Sequence, residues 1–171
     1  HALAGWLHDR SECLVEIGSF RGRSLAMLAL GLRDASSRAK IVSIDPHDAE
    51  PCNQQQVRLT LAQLGEDRRL VQFVGGSDEA WKIMRPECAS LIFVDGDHSF
   101  RQVVSDFENY RDLLAPGGCM VFHDYGFGNH TGQADTDPDV RAAVDEVVFS
   151  SPGFSPLLLA HTLMAFVKDR G

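Results

Sequence analysis

Short apolar runs alternate along this chain with segments in which apolar residues recur at helical spacing. This alternation is typical of an α/β protein with a largely parallel sheet. Two last runs, 155–161 and 162–168, follow one another almost without a linker, as the strands of an antiparallel pair do. The other predicted strands span residues 13–18, 41–45, 70–75, 90–95 and 119–124, and the predicted helices span 24–33, 54–65, 77–84, 100–114 and 138–148.

The length and composition fit one globular domain. The chain has 171 residues, of which 44% are hydrophobic and 23% charged. That is enough for one real core and too little for two ordinary domains, so we expect residues 1–171 to form a single domain. The net charge is −8 and no cluster of basic residues occurs, which argues against a nucleic-acid surface. No apolar run approaches the roughly 18 residues of a membrane span, and no signal-peptide pattern opens the chain.

The four cysteines are far apart, at positions 13, 52, 88 and 119. No CxxC pair occurs, so the spacing indicates neither a disulfide framework nor a zinc site. We therefore expect a reduced, cytoplasmic protein that has no membrane and no nucleic acid among its partners.

A glycine-containing turn, "VEIGSFRGRS" (15–24), connects the first strand to the first helix. The start of that helix brings free amides and the positive end of its dipole to the turn. Gly18 and Gly22 would let a ligand approach the backbone closely. Their G-x-x-x-G spacing differs from the G-x-G-x-x-G of dinucleotide-binding proteins. Alone, the motif is a weak signal, because most α/β proteins contain a tight turn of this kind.

An acid at the end of the second strand strengthens this interpretation. Asp45, in "SIDP", is placed to accept both ribose hydroxyls of a nucleoside ligand. A strand-end aspartate can also simply cap a turn. The glycine turn and the acid together favour a nucleoside or dinucleotide cofactor.

Acidic and histidine side chains follow the fourth and fifth predicted strands, in "FVDGDHSF" and "VFHDY". Open α/β sheets bind ligands at the carboxyl ends of their strands. If the two strands are neighbours, Asp95, His123 and Asp124 would lie within a few ångströms of one another. Oxygen-rich ligands with one imidazole suit Mg²⁺, Mn²⁺ or Fe²⁺.

Part of the first cluster has a purely structural interpretation. Ser99 with Gln102 fits a capping box for the following helix, and Asp97 fits the same acidic helix start. The chemistry of His98 alone stays open, because a loop histidine is more often solvated than catalytic.

Four segments together resemble class I S-adenosylmethionine-dependent methyltransferases: "LVEIGSFRGRSLAML", "IVSIDP", "GGS" and "LIFVDGDHSFRQVVSDFENYRDLLAPGGCMVFHDY". Over residues 12–168 the chain is similar to the metal-dependent small-molecule O-methyltransferases of the catechol, caffeoyl-CoA and macrocin types. This resemblance implies a Rossmann-like, doubly wound α/β fold. Its sheet would have seven strands, mostly parallel with an antiparallel terminal strand, and helices on both faces. It also implies metal-assisted methyl transfer to the hydroxyl of a small-molecule acceptor, and it allows a homo-oligomer.

The resemblance also implies roles for individual residues. Asp45 would bind the ribose hydroxyls, and Ser77 would approach the adenine. His98 falls where catechol-type enzymes carry a lysine general base. The remaining cofactor residues would be Glu16, Gly18, Gly22 and Ser24, and the metal ligands Asp95, His123 and Asp124. His123 stands where relatives usually have an acid, so the expected metals include Mn²⁺ and Fe²⁺ beside Mg²⁺.

Three other functions fit parts of the pattern. A metal-dependent hydrolase would use the acids and histidines to activate water, but it leaves the glycine turn and Asp45 unexplained. An iron-dependent hydroxylase needs two histidines and one acid, and the spacing does not choose between His98 and His130 as the second histidine. A non-catalytic nucleoside-binding module leaves the acids after the fourth and fifth strands unexplained.

Overall fold

The structure is a computed structural model that describes residues 13–48, 52–126 and 137–170. The strands are β1 (Cys13–Ile17), β2 (Lys40–Ile44), β3 (Leu70–Phe73), β4 (Ala89–Val94), β5 (Leu114–Phe122), β6 (Phe154–Ala160) and β7 (Leu163–Lys168). The helices are α1 (Arg23–Asp34), α2 (Cys52–Gln63), α3 (Ser77–Ala80), α4 (Phe100–Tyr110) and α5 (Pro138–Ala143), and α5 continues as a π-helical turn over Val144–Val148.

All seven strands belong to one sheet, in the order β3-β2-β1-β4-β5-β7-β6. Strands β1 to β5 pair in parallel, and β7 is antiparallel to both of its neighbours. This confirms the predicted seven-stranded, mostly parallel sheet with an antiparallel terminal strand. The direction of strand order reverses between β1 and β4, which is where an open α/β sheet forms its ligand crevice.

Each face of the sheet has its own hydrophobic cluster, because successive strand residues point to opposite sides. On one face Val15 belongs to a cluster with Phe107 and Tyr110 of α4. On the other face Leu14 belongs to a cluster with residues of α1 and α2, such as Leu25 and Leu61. Strands β1 and β4 are buried along their whole length, as parallel strands covered on both faces are. Their carboxyl ends are therefore fixed by packing on both sides.

The helix predicted over 100–114 ends at Tyr110 instead. Leu113 and Leu114 are buried, as the helical pattern requires, but Leu114 begins β5 and pairs with Ala89 of β4. Apolar spacing cannot separate these alternatives, because a last helical turn and a first strand residue both place a leucine in the core. Strand β5 consequently starts earlier than the predicted 119–124 and ends at Phe122.

Most of the polar, glycine-rich segment predicted as a loop over 125–137 lies outside the described residues. Within the part of the chain that is described, no helix is both long and apolar enough to cross a membrane.

Candidate active site

A cavity of about 420 Å³, hereafter the first cavity, opens at the carboxyl ends of β1, β2, β3 and β4. It lies at the crossing between β1 and β4, in the crevice that this topology forms. Its size falls in the range of small-ligand pockets. Three of the residues predicted to contact a cofactor line it, namely Gly18, Asp45 and Ser77, and so does Asp95.

Two glycines of the turn after β1 are required by the packing of the chain itself. Gly18 has φ +84°, and a Cβ at this position would overlap the carbonyl oxygen of Asp95. Gly22 has φ +80°, and its Cβ would lie 3.1 Å from Cα of Val57. The sequence suggested close approach of a ligand at these positions. The structure shows close approach of neighbouring backbone, with Gly18 also lining the first cavity.

Gly18→Ala is expected to lower the free energy of unfolding by about 2–4 kcal/mol, because the new Cβ must displace the end of β4 in addition to straining the backbone. Gly65→Ala is the matched control. Gly65 has φ +74°, but no described atom lies within 4 Å of its added Cβ, so only the backbone penalty of about 1 kcal/mol applies. Urea denaturation measures both variants, and equal losses would contradict the overlap with Asp95.

The Asp45 carboxylate is held in place by two backbone amides. Its Oδ2 accepts a hydrogen bond from the amide of Phe20 at 2.8 Å, and its Oδ1 accepts one from the amide of His47 at 2.7 Å. The side chain keeps 15% of its surface exposed. Nδ1 of His47 also lies 3.2 Å from Oδ1, so Oδ2 is the oxygen that keeps acceptor capacity for a ligand hydroxyl.

Glu16 on β1 is completely buried, and neither of its carboxylate oxygens has a hydrogen-bond partner among the described residues. Burial, with smaller contributions from the charges of Asp95 and Asp45, raises its pKa to about 8. The nearby Ser24 hydroxyl opposes this shift only in part. Glu16 itself lines neither the first cavity nor the one beside it, and a buried carboxyl group in such surroundings is favoured in its neutral form.

A second cavity, of about 520 Å³, shares Gly18, Phe20 and Asp95 with the first. The rest of its wall comes from the start of α1, including Arg23, and from His123 after β5. Ser24, which the sequence assigned to the cofactor, lines this second cavity and not the first. The two cavities thus meet at the ends of β1 and β4.

The Ser77 hydroxyl is turned toward α4. It donates a hydrogen bond to Asp106 at 2.6 Å and accepts one from Nε2 of Gln102 at 3.2 Å. Ser77 therefore faces the cavity with its hydroxyl already engaged. Only half of the predicted capping box forms: the backbone amide of Gln102 donates to the Ser99 hydroxyl at 3.4 Å, but the amide of Ser99 donates to Asp97 and not to the Gln102 side chain. The contact of that side chain with Ser77 was missed because α3 and α4 meet only in the folded chain.

The acids and histidines that follow β4 and β5 converge, because these strands are neighbours. Nδ1 of His123 lies 3.2 Å from Oδ1 of Asp95 and 2.9 Å from Oδ1 of Asp124. Nε2 of His98 lies 3.2 Å from Oδ2 of Asp124 and 4.0 Å from Oδ1 of Asp95. Two imidazoles therefore flank the same pair of carboxylates.

Asp95, His98 and Asp124 each present a ligand atom within 4.8 Å of the others, an arrangement that fits a divalent metal. The sequence predicted His123 as the third ligand and His98 as the base, whereas this converging group contains His98 in place of His123. Interactions with Asp124 first, and with Asp95, raise the pKa of His123 to about 10. Although burial acts to raise the pKa of Asp124, His123 and His98 lower it overall. Coordination of a metal through Nδ1 of His123 would replace this ion pair.

Asp137 also contacts this cluster, although the sequence did not single it out. Its Oδ2 lies 3.5 Å from Nδ1 of His98, on the other ring nitrogen from Asp124. Its Oδ1 caps α5 by accepting from the amide of Asp139 at 3.0 Å. A carboxylate on Nδ1 fixes the tautomer and orientation of a histidine. The role of Asp137 as an N-cap before Pro138 can be predicted from the sequence, but its contact with His98 cannot.

Comparison with known proteins places this architecture among methyltransferases. An uncharacterized protein of Acanthamoeba polyphaga mimivirus is 26% identical over 140 residues, which are 78% of this chain and 58% of the viral protein. A protein of Mycobacterium sp. (strain JLS), provisionally named an O-methyltransferase, is 26% identical over 93% of this chain and 71% of its own. The chain thus spans less than two thirds of the viral relative.

The fold matches that of the O-methyltransferase TomG from Streptomyces achromogenes, solved in complex with SAM. The TM-score is 0.73 at 20% identity, over 99% of this chain and 78% of TomG. The sequence profile of one family, described as a methyltransferase domain, matches residues 15–125, well over half of the chain. The resemblance inferred from the four sequence segments is thereby confirmed, and this chain belongs to the methyltransferase domain family.

Proposed function

We propose that this protein transfers the methyl group of S-adenosylmethionine to a hydroxyl group of a small molecule. The observation that carries the proposal is the pairing of the first cavity, where Asp45 follows β2, with a carboxylate–histidine cluster at its edge. Membership of the methyltransferase family supports methyl transfer over hydrolysis or hydroxylation. The names of the Mycobacterium protein and of TomG support oxygen as the methyl acceptor.

The chemical groups of the cofactor match the residues that the structure gathers. Asp45 accepts the ribose hydroxyls. Glu16 balances the positively charged methionine part, which relieves the cost of a buried carboxyl group without a partner. Gly18 and Ser24 line the cavities on either side of the β1–β4 crossing, where that part would lie.

The reaction is an in-line displacement at the sulfonium methyl group by the acceptor oxygen. The acceptor must lose its proton, and His98 is the proposed base; Asp137 contacts its Nδ1 and Asp124 its Nε2. Asp95, His123 and Asp124 would hold a divalent metal, which when bound would supply positive charge that lowers the pKa of the acceptor hydroxyl. The second cavity gives room for a small acceptor, and the net charge of −8 disfavours nucleic acid.

Calorimetry with S-adenosylhomocysteine tests the cofactor directly. We expect the wild-type protein to bind it and Asp45→Ala to weaken binding by about 10- to 100-fold, because charge-assisted hydrogen bonds to the ribose are lost. Asp48→Ala is the matched control, since Asp48 is an exposed acid three residues further along and lines neither cavity. A wild-type protein without measurable affinity would rule out the proposed cofactor.

A further inference from the structure

A hydrogen-bonded network joins α3 to α4 at the wall of the first cavity, and the proposed methyl transfer makes no use of its centre, Asp106. This side chain is completely buried. Its Oδ1 accepts hydrogen bonds from the Ser77 hydroxyl at 2.6 Å and from Nε2 of Gln102 at 3.1 Å. Its Oδ2 has no partner among the described residues. A buried acid in this position requires an explanation beyond core packing.

The network determines which way the amide group of Gln102 points. Nε2 faces three oxygens, at 3.1 Å on Asp106, 3.2 Å on Ser77 and 3.5 Å on Asp78. Ionised carboxylates only accept hydrogen bonds, so the reversed amide would set its own oxygen against two carboxylates. Nε2 of Gln102 is therefore occupied by hydrogen bonds to other residues of the protein. Oε1 accepts no hydrogen bond from any described residue and is left for a ligand.

We propose that Oε1 of Gln102 accepts a hydrogen bond from the exocyclic amino group of adenine, and that Asp106 is the positioning residue that fixes this amide. The inference rests on the proposed function, since it assumes an adenosine cofactor. Gln102 lines the same cavity as Asp45. A nucleoside whose ribose is held by Asp45 leaves its base to the remaining wall, where Gln102 offers an acceptor for an amino group.

Four acids also line this cavity: Asp45 and Asp95 lie at the proposed ribose and metal positions, and Asp78 and Asp97 each accept a hydrogen bond from the protein at Oδ1. Oδ1 of Asp78 accepts from the Ser105 hydroxyl at 2.9 Å. Oδ1 of Asp97 accepts from the amide of Ser99 at 2.8 Å. Each contact holds its carboxylate toward α4. Gln102 differs because the protein orients its amide and leaves Oε1 toward the cavity; Oδ2 of Asp78 also accepts no hydrogen bond from a described residue, so Asp78 is the competing acceptor that the test includes.

The test compares two ligands by calorimetry: S-adenosylhomocysteine and S-inosylhomocysteine, in which a carbonyl replaces the amino group of the base and N1 carries a hydrogen. We expect the wild-type protein to prefer the adenine ligand by about tenfold or more, the effect of one hydrogen bond exchanged for a repulsion between two oxygens. Gln102→Met should reduce this preference to near unity. Asp106→Asn should reduce it severalfold, because the amide of Gln102 is then free to rotate.

Asn109→Met is the matched control, because Asn109 also donates toward Asp78 from α4 but does not line the first cavity. Its preference should equal that of the wild type. If Gln102→Met weakens both ligands equally, or if Asp78→Asn alone removes the preference, Gln102 does not read the base and the inference is overturned. A wild-type protein that binds neither ligand overturns the proposed function itself, whereas binding with an unchanged preference in Gln102→Met overturns only this inference.

Discussion

Asp124→Ala should reduce methyl transfer by about a thousandfold while leaving the affinity for S-adenosylhomocysteine nearly unchanged. Asp124 touches both histidines of the cluster, at 2.9 Å and 3.2 Å, so its removal takes away the nearer of the two carboxylates that His98 and His123 share. It lines neither the first nor the second cavity. The loss should therefore fall on chemistry at the acceptor, and cofactor binding should be spared.

Two measurements separate these contributions. Transfer of a labelled methyl group to a panel of catechols and sugars, with and without Mn²⁺, reports the reaction, and calorimetry with S-adenosylhomocysteine reports the cofactor. Asp139→Ala is the control, because Asp139 is an exposed acid two residues beyond the Asp137 that contacts His98. Full activity of Asp124→Ala in the presence of a chelator would show that neither this carboxylate nor a metal assists the reaction.

The strands of the sheet could be predicted because each one is encoded by a short, continuous stretch of sequence. Each central strand is a short apolar run that ends at a polar residue, and burial on both faces makes such runs continuous. Asp45 and Asp95 were found for the same reason, since the topology brings the ends of parallel strands to one edge. Where a leucine suits either of two elements, as Leu114 does, the same local signal placed the boundary wrongly.

The contacts that organise the site were not predictable. His98 meets Asp137, and Ser77 meets Asp106, across long stretches of chain. These pairs depend on how α3, α4 and α5 pack against the sheet, which no spacing in the sequence encodes. The packing that requires a glycine at position 18 could not be predicted either, because the backbone that it approaches is that of Asp95, more than seventy residues later.

The buried carboxyl group of Glu16 lowers the stability of the free protein at neutral pH, and in the proposed function the same group favours ligand binding. A carboxyl group whose pKa is raised to about 8 by burial stays protonated in the folded chain, whereas the unfolded chain ionises it at its ordinary pKa of 4.5. The folded state is therefore favoured most below pH 4.5 and loses this stability as the pH rises toward 8. At pH 7 the penalty amounts to about 3 kcal/mol. A bound cation removes it by favouring the ionised carboxylate.

Glu16→Gln should thus raise the free energy of unfolding of the unliganded protein by about 3 kcal/mol at pH 7 and leave it unchanged near pH 4.5. The same variant should bind S-adenosylhomocysteine about 10- to 100-fold more weakly, because the ammonium of the ligand's homocysteine part loses its counter-charge. Urea denaturation at the two pH values measures the first effect. Calorimetry in buffers of different ionisation enthalpy measures the second and should show that the wild type, but not the variant, releases close to one proton on binding. A variant that is destabilised at pH 7 would mean that Glu16 is ionised and paired in the free protein, and its buried carboxyl group would then not be waiting for a ligand.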